Sequence, residues 1–118
     1  TESWCGDAAH VMPVMQKIAD INSNIDIKVV LRDENDELMN AFLTNGVKAI
    51  PKVIMIDEVT GDVFNSYGPR PSNATQLVNE YKAKHGLLTP EFKEDLQHWY
   101  NKDKGQTAVK DLITLLEI

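Results

Sequence analysis

Apolar residues at helical spacing alternate with short β-branched runs along the first 86 residues of the chain. The helical spacing predicts three helices, over residues 6–22, 36–45 and 72–86. Gly46 is expected to end the second of them as its C-cap. The β-branched runs predict three strands, at residues 25–31, 53–56 and 63–67. Because the turn signal Thr60-Gly61 separates the last two strands, we expect an antiparallel hairpin there. The order helix, strand, helix, strand, strand, helix is typical of an α/β fold.

The rest of the chain carries the pattern of two further helices. Thr89, Pro90 and Glu91 form a helix start signal of capping residue, proline and acid. A polar break at residues 102–105 precedes a last apolar stripe of Val109, Leu112, Ile113 and Leu116. The aromatic residues of the first of these helices are expected in the core: Phe92, Trp99 and Tyr100. We therefore expect a domain over residues 1–88 and a helical pair over residues 89–118 packed on it.

The single cysteine and the net negative charge limit the classes of function that the chain can have. The 118 residues carry a net charge of −6, which argues against nucleic-acid phosphates as a partner. No apolar run approaches the ~20 residues that span a bilayer, so we expect no membrane partner. Cys5 is the only cysteine, so the chain has no internal disulfide, and a reducing cytoplasm is the expected location.

Four features at separate places in the chain resemble the thioredoxin family. Trp4-Cys5-Gly6-Asp7-Ala8 is similar to the thioredoxin motif Trp-Cys-Gly-Pro-Cys. Pro13 has the position of the proline inside the helix after that motif, and Gly68 that of the glycine after the last strand. Ile50-Pro51 resembles the Ile-Pro whose cis proline faces the reactive cysteine. Residues 31–46 and 67–71 resemble, more narrowly, a bacterial branch of thioredoxin-like proteins. The resemblance implies a thioredoxin fold, a mixed sheet flanked by helices.

The chain departs from that family in ways that bear on its chemistry. Ala8 stands in place of the second, resolving cysteine, and Asp7 in place of the proline between the cysteines. Val29 lies where thioredoxins usually carry a lysine. The chain also begins at the motif, whereas in the family a central strand leads into the cysteine. We therefore expect a thioredoxin fold that lacks its N-terminal and central strands, in a sequence that is part of a longer protein.

Cys5 is the predicted nucleophile, since a helix start stabilises a thiolate. Asp7 opposes this by like charge, although an acid in the first turn is also an ordinary helix-stabilising feature. Arg70 has two interpretations. Pointing inward, it would favour the thiolate or hold an anionic group of the substrate; otherwise it is a solvated loop residue. Without a cysteine at position 8, the mixed disulfide formed by Cys5 must be resolved by an external thiol.

The resemblance implies a substrate groove beside Cys5, formed by Trp4, Gly6, Asp7, Ile50, Pro51, Gly68 and Arg70. The predicted function is a monothiol thiol–disulfide oxidoreductase whose partner is a thiol or disulfide of a protein or small compound. A disulfide-linked homodimer is a further expectation. The alternative function is a non-catalytic module that binds a peptide or protein through that groove. The alternative interpretation of Cys5 itself is a small apolar residue that fills space. His10 is expected on the surface rather than as a metal ligand, and we expect no metal and no cofactor.

Overall fold

The computed structural model describes residues 1–117, and this part of the chain forms five α-helices and one two-stranded sheet. The helices are α1 Gly6–Ile21, α2 Asp36–Ala41, α3 Ser72–His85, α4 Pro90–Asp103 and α5 Gln106–Leu116. The strands are β1 Val53–Ile56 and β2 Val63–Tyr67. A short 3₁₀ helix, Arg32–Glu34, precedes α2. The described residues thus make a partial thioredoxin fold with a helical extension, as the sequence predicts.

Helix α1 supplies one wall of the main core. Its buried residues Ala8, Val11 and Met15 recur at spacings of three and four, which places them on one face of the helix. Val11 and Met15 pack with Met55 of β1 and Leu112 of α5. Because the core joins α1, the sheet and α5, the last helix belongs to the folded body.

The predicted hairpin is present. β1 and β2 pair antiparallel, with Val53 opposite Tyr67 and an irregularity between Met55 and Ile56. The side chain of Asp57 closes the turn, since its Oδ1 accepts the backbone N–H groups of Val59 at 2.9 Å and Thr60 at 3.0 Å. These two N–H donors hold the pKa of Asp57 below its usual value.

The prediction of a strand over residues 25–31 is wrong for the described structure. A strand requires a hydrogen-bonded neighbour along its length, and within residues 1–117 none runs beside this segment. Thr1 makes a single parallel rung with it, in which the Thr1 ammonium donates to the Val30 carbonyl and the Arg32 N–H to the Thr1 carbonyl. A cleft of about 360 Å³ with several apolar side chains lies between this segment and β1.

The second predicted helix is shorter than expected, and Gly46 does not cap it. Helix α2 ends at Ala41, and Asn45 and Gly46 both adopt positive φ, at 52° and 80°. Thr44 and Val47 exchange two backbone hydrogen bonds across them, of 2.9 and 3.1 Å. This is the geometry of a tight hairpin turn, for which Asn-Gly is the preferred dipeptide.

The first C-terminal helix begins where the sequence places it, and it ends at Asp103, inside the predicted polar break of residues 102–105. Thr89 caps α4 by accepting the N–H of Phe92 at 3.1 Å, and Lys104 and Gly105, both at positive φ, turn the chain into α5. Helix α4 packs on α3 through a second buried cluster of Ala74, Val78, Leu96 and Tyr100. Ile118, the last residue of the predicted pair, lies outside the described residues. Among residues 1–117, no helix has the length and apolar character needed to cross a bilayer.

Candidate functional site

Cys5 lies at the boundary between an extended segment and helix α1. Its backbone is extended, with φ −79° and ψ 120°, while its carbonyl accepts the first helical hydrogen bond from the Ala9 N–H at 3.2 Å. The thiol is partly exposed, and its Sγ donates to the carbonyl oxygen of Ile50 at 3.4 Å. A thiol in this position is close to the helix N–H groups that stabilise an anion, and solvent reaches it.

The Ile50–Pro51 segment packs between Cys5 and the loop after β2. Its peptide bond is cis, and both residues are buried. Gly68 has φ of +117°, and a Cβ atom at that position would overlap the carbonyl oxygen of Pro51. Glycine is therefore required there for two reasons, the backbone conformation and the close approach. The loop that begins at Gly68 thus lies against the segment that the Cys5 thiol contacts.

Arg70 in that loop points inward and contacts Asp7 in the first turn of α1. Its Nε is 3.3 Å from Asp7 Oδ2, and the two side chains are 25% and 19% exposed. The Nε–H is buried without a well-directed hydrogen bond, so the contact with Asp7 is an ion pair rather than an aligned hydrogen bond. Of the two interpretations of Arg70, the structure has the inward one, although its contact is with Asp7.

The other oxygen of Asp7 is bound by a residue that the sequence did not single out for the site. The hydroxyl of Tyr100 in α4 donates to Asp7 Oδ1 at 2.7 Å, across 93 residues of sequence. Burial, and then the hydrogen bond to Asp7, raise the pKa of Tyr100 above its usual value. No local sequence pattern marks this contact, because it depends on how α4 packs against α1.

His10 supports the same contact from the next turn of α1. Its ring stacks on the Tyr100 ring, with centroids 4.0 Å apart and planes 8° from parallel. Its Nε2 is also 3.4 Å from Oε1 of Gln97, three residues before Tyr100 on α4. Within residues 1–117, no cluster of three or more His, Cys, Asp or Glu side chains could hold a metal ion.

The remaining predicted site residues divide between surface and core. Trp4 is 65% exposed, and the Arg32 guanidinium lies 5.0 Å from the centroid of its ring. Gly6 is exposed at the start of α1, while Ala8 is buried. The structure brings most of the predicted site residues together. The connected set runs from Cys5 through Ile50-Pro51 and the Gly68 loop to Arg70 and Asp7, whereas Trp4 is open to solvent beside it.

A comparison with known protein families identifies the family of this chain. A model of the thioredoxin family matches residues 1–82. The chain belongs to the thioredoxin family. The matched part ends inside α3, so Tyr100 and the rest of α4 and α5 come after it. No curated protein and no solved structure matches the chain. The family has the fold that thiol–disulfide oxidoreductases use, and it confirms the resemblance drawn from the sequence.

Proposed function

We propose that this chain is a monothiol thiol–disulfide oxidoreductase that uses Cys5 as its nucleophile. The observation that carries the proposal is the position of Cys5, partly exposed at the start of α1 and in contact with the Ile50 carbonyl beside cis Pro51. Ionisation of the thiol breaks that hydrogen bond and leaves the sulfur free to attack.

The reaction proceeds by two thiol–disulfide exchanges. In the first, the Cys5 thiolate attacks one sulfur of a substrate disulfide, forms a mixed disulfide and releases the other sulfur as a thiolate, which takes up a proton. In the second, the thiolate of an external thiol attacks the group bound to Cys5. The bound group leaves as a new disulfide with the external thiol, and Cys5 is regenerated as a thiolate. The net result is that one sulfur of the substrate is released as a thiol and the other becomes part of a disulfide with the external thiol. A second external thiol that attacks this new disulfide completes the two-electron reduction of the substrate.

The buried alanine in the motif supports an external resolving thiol. Ala8 occupies the place of the second cysteine and is only 5% exposed, and Cys5 is the only cysteine of the chain. A low-molecular-weight thiol or a cysteine of a protein partner is therefore the proposed second reactant. A reducing compartment such as the cytoplasm would supply it, and without it Cys5 would form a disulfide-linked homodimer.

Two assays on the protein test this proposal. The rate of Cys5 alkylation by iodoacetamide is measured against pH, and turnover is measured with a small mixed disulfide and an excess of reduced thiol. We expect an alkylation rate that rises as the thiol ionises, and turnover that Cys5→Ser abolishes. An alkylation midpoint like that of free cysteine, together with no turnover, would overturn the proposal.

The motif can also be tested by restoring its second thiol. Ala8→Cys is expected to add dithiol reductase activity that needs no external resolving thiol, because position 8 follows Cys5 by one turn of α1. Ala8→Ser is the matched control, since it adds a side chain of similar size without a thiol. If Ala8→Cys folds and remains dependent on external thiol, then the site does not bring the two sulfurs together.

The alternative function, a non-catalytic binding module, is favoured by one observation. Trp4 is a large aromatic residue that remains 65% exposed next to Cys5, as expected of a contact residue. The two functions differ in turnover. A binding module would show none, and Cys5→Ser would leave its binding of a partner intact, whereas Trp4→Ala would weaken it.

A further inference from the structure

The C-terminal extension contributes a side chain to the surroundings of Cys5. Tyr100 belongs to α4, beyond the residues matched to the family, yet its hydroxyl is 2.7 Å from an oxygen of Asp7. Asp7 lies two residues after Cys5 in the first turn of α1. The contact therefore joins the extension to the part of the helix that governs whether the thiol ionises.

The position of Tyr100 is fixed on several sides. The residue is 8% exposed and belongs to the buried cluster between α3 and α4. His10 stacks on its ring, and Trp99 packs against it edge to face with centroids 5.4 Å apart. Because its pKa is raised, the hydroxyl stays protonated and remains a hydrogen-bond donor throughout the neutral range.

Asp7 is the group on which this hydroxyl acts. An unpaired carboxylate in the first turn would oppose a thiolate at Cys5 by like charge, and it would compete with the thiolate for the N–H groups at the helix start. In the structure one oxygen of Asp7 binds Tyr100, and the other is paired with Arg70. Both oxygens of the carboxylate therefore have partners that lie outside α1.

We propose that Tyr100 is a positioning residue for the Cys5 site, which acts by holding the Asp7 carboxylate against α4 and Arg70. The proposal rests on the proposed function, in which a Cys5 thiolate is the reactive species. Other charged or titratable groups near Cys5 and Asp7 include the Thr1 ammonium, Glu2, Arg70 and His10. Tyr100 alone among these neighbours comes from the C-terminal extension.

The test is the pH profile of Cys5 alkylation in Tyr100→Phe. Phenylalanine keeps the ring and its stacking but removes the hydroxyl. We expect the alkylation midpoint to rise by about half a pH unit, which corresponds to about threefold slower alkylation near neutral pH. In the Asp7→Asn background the same substitution is expected to cause no further rise, because no carboxylate is left to hold.

Tyr67→Phe is the matched control. Tyr67 is also 8% exposed and donates to an aspartate, Asp111, at 2.8 Å. This second bond joins β2 to α5 rather than α4 to the Cys5 helix. Its loss is expected to lower stability and leave the midpoint of Cys5 alkylation unchanged.

Several results would overturn the proposal. One is an unchanged midpoint in a Tyr100→Phe protein whose circular dichroism matches that of the wild type. Another is an equal rise with and without Asp7→Asn, which would place the effect outside Asp7. Should Tyr100→Phe not fold, Asp7→Glu decides, because glutamate keeps the charge and changes where the carboxylate lies relative to Tyr100: a changed midpoint supports the proposal and an unchanged one overturns it. Absence of turnover in the wild type, with the midpoint shifts present, would reject the oxidoreductase function but not the role of Tyr100.

Discussion

Two tyrosine–aspartate hydrogen bonds join the C-terminal helices to the rest of the chain, and they differ in what else the aspartate binds. Asp111 of α5 accepts the hydroxyl of Tyr67 at 2.8 Å and the N–H and hydroxyl of Ser72 at 2.8 and 2.9 Å. Asp7 instead divides its oxygens between Tyr100 and a cation, Arg70. Asp111 therefore stabilises the start of α3. Asp7 also makes a structural hydrogen bond, but its charge lies close to the Cys5 thiol.

Similar contacts therefore serve separate purposes at the two ends of the extension. At the α5 end every partner of Asp111 is neutral, so the carboxylate stabilises a helix start and holds elements together. At the α4 end the charge balance of Asp7 bears on the ionisation of Cys5. We expect substitutions at the α5 end to change stability without changing reactivity, and substitutions at the α4 end to change reactivity.

The largest expected effect is on the core at the α5 end. Leu112 follows Asp111 and is completely buried against Val11 and Met15 of α1. Leu112→Ala is expected to lower the free energy of unfolding by about 3 kcal/mol, through lost burial and the cavity that remains. Urea denaturation measures it, with the half-exposed Val109→Ala as the control, for which we expect less than about 1 kcal/mol. Equal effects in the two variants would mean that α5 is not part of the core.

Asp111→Asn should have the next largest effect. The amide keeps one acceptor oxygen but loses the charge and one acceptor, so we expect a loss of about 2 kcal/mol in the free energy of unfolding. Asp7→Asn is its counterpart and is expected to cost about 1 kcal/mol, since its ion pair with Arg70 is poorly aligned. The order should reverse for Cys5 alkylation, which Asp111→Asn leaves unchanged. A shifted alkylation profile in Asp111→Asn would contradict the expectation that substitutions at the α5 end change stability without changing reactivity.

Raising the pH is expected to lower the free energy of unfolding through both tyrosine–aspartate hydrogen bonds. Burial and the hydrogen bond to aspartate raise the pKa of Tyr67 and of Tyr100 above the usual 10.0. Unfolded tyrosines therefore release their protons before the folded ones do, so the stability present below about pH 10 is lost as the pH rises further.

Urea denaturation from about pH 8 to about pH 11 measures this loss. Tyr67→Phe and Tyr100→Phe should each reduce the decline, because each removes one of the two hydroxyls whose pKa is raised in the folded protein. A wild-type stability that does not fall above about pH 10 would contradict the raised pKa values.

The features that could be predicted from the sequence are those that depend on neighbours in sequence. The start of α1 after Cys5, the hairpin of β1 and β2, and the cap at Thr89 each follow from a local pattern. The Asn45-Gly46 turn was also within reach, since the dipeptide itself favours a hairpin turn. The sequence predicts a helix end there instead, because Leu38, Phe42 and Leu43 also fit helical spacing.

The rest depends on contacts between distant segments. Residues 25–31 have the composition of a buried strand, but pairing decides whether a segment is a strand, and Thr1 provides a single rung. Residues Tyr100 and Asp7 are 93 positions apart, and apolar burial of Tyr100 predicts core without revealing where its hydroxyl points. The inward direction of Arg70 follows from the same packing, since Asp7 is its partner.

The smallest expected effect separates the Tyr100 hydroxyl from the helix that carries it. Thr89 caps α4 through the Phe92 N–H, so Thr89→Ala is expected to lower the free energy of unfolding by about 1 kcal/mol, and Thr89→Ser by much less. Tyr100 lies about three turns further along α4, where the helix is held by its packing on α3. Loss of the cap should therefore lower the urea midpoint and leave the pH profile of Cys5 alkylation as in the wild type. If Thr89→Ala raises the alkylation midpoint as much as Tyr100→Phe does, then the Cys5 site responds to the placement of α4 as a whole, and the hydroxyl has no separate part in it.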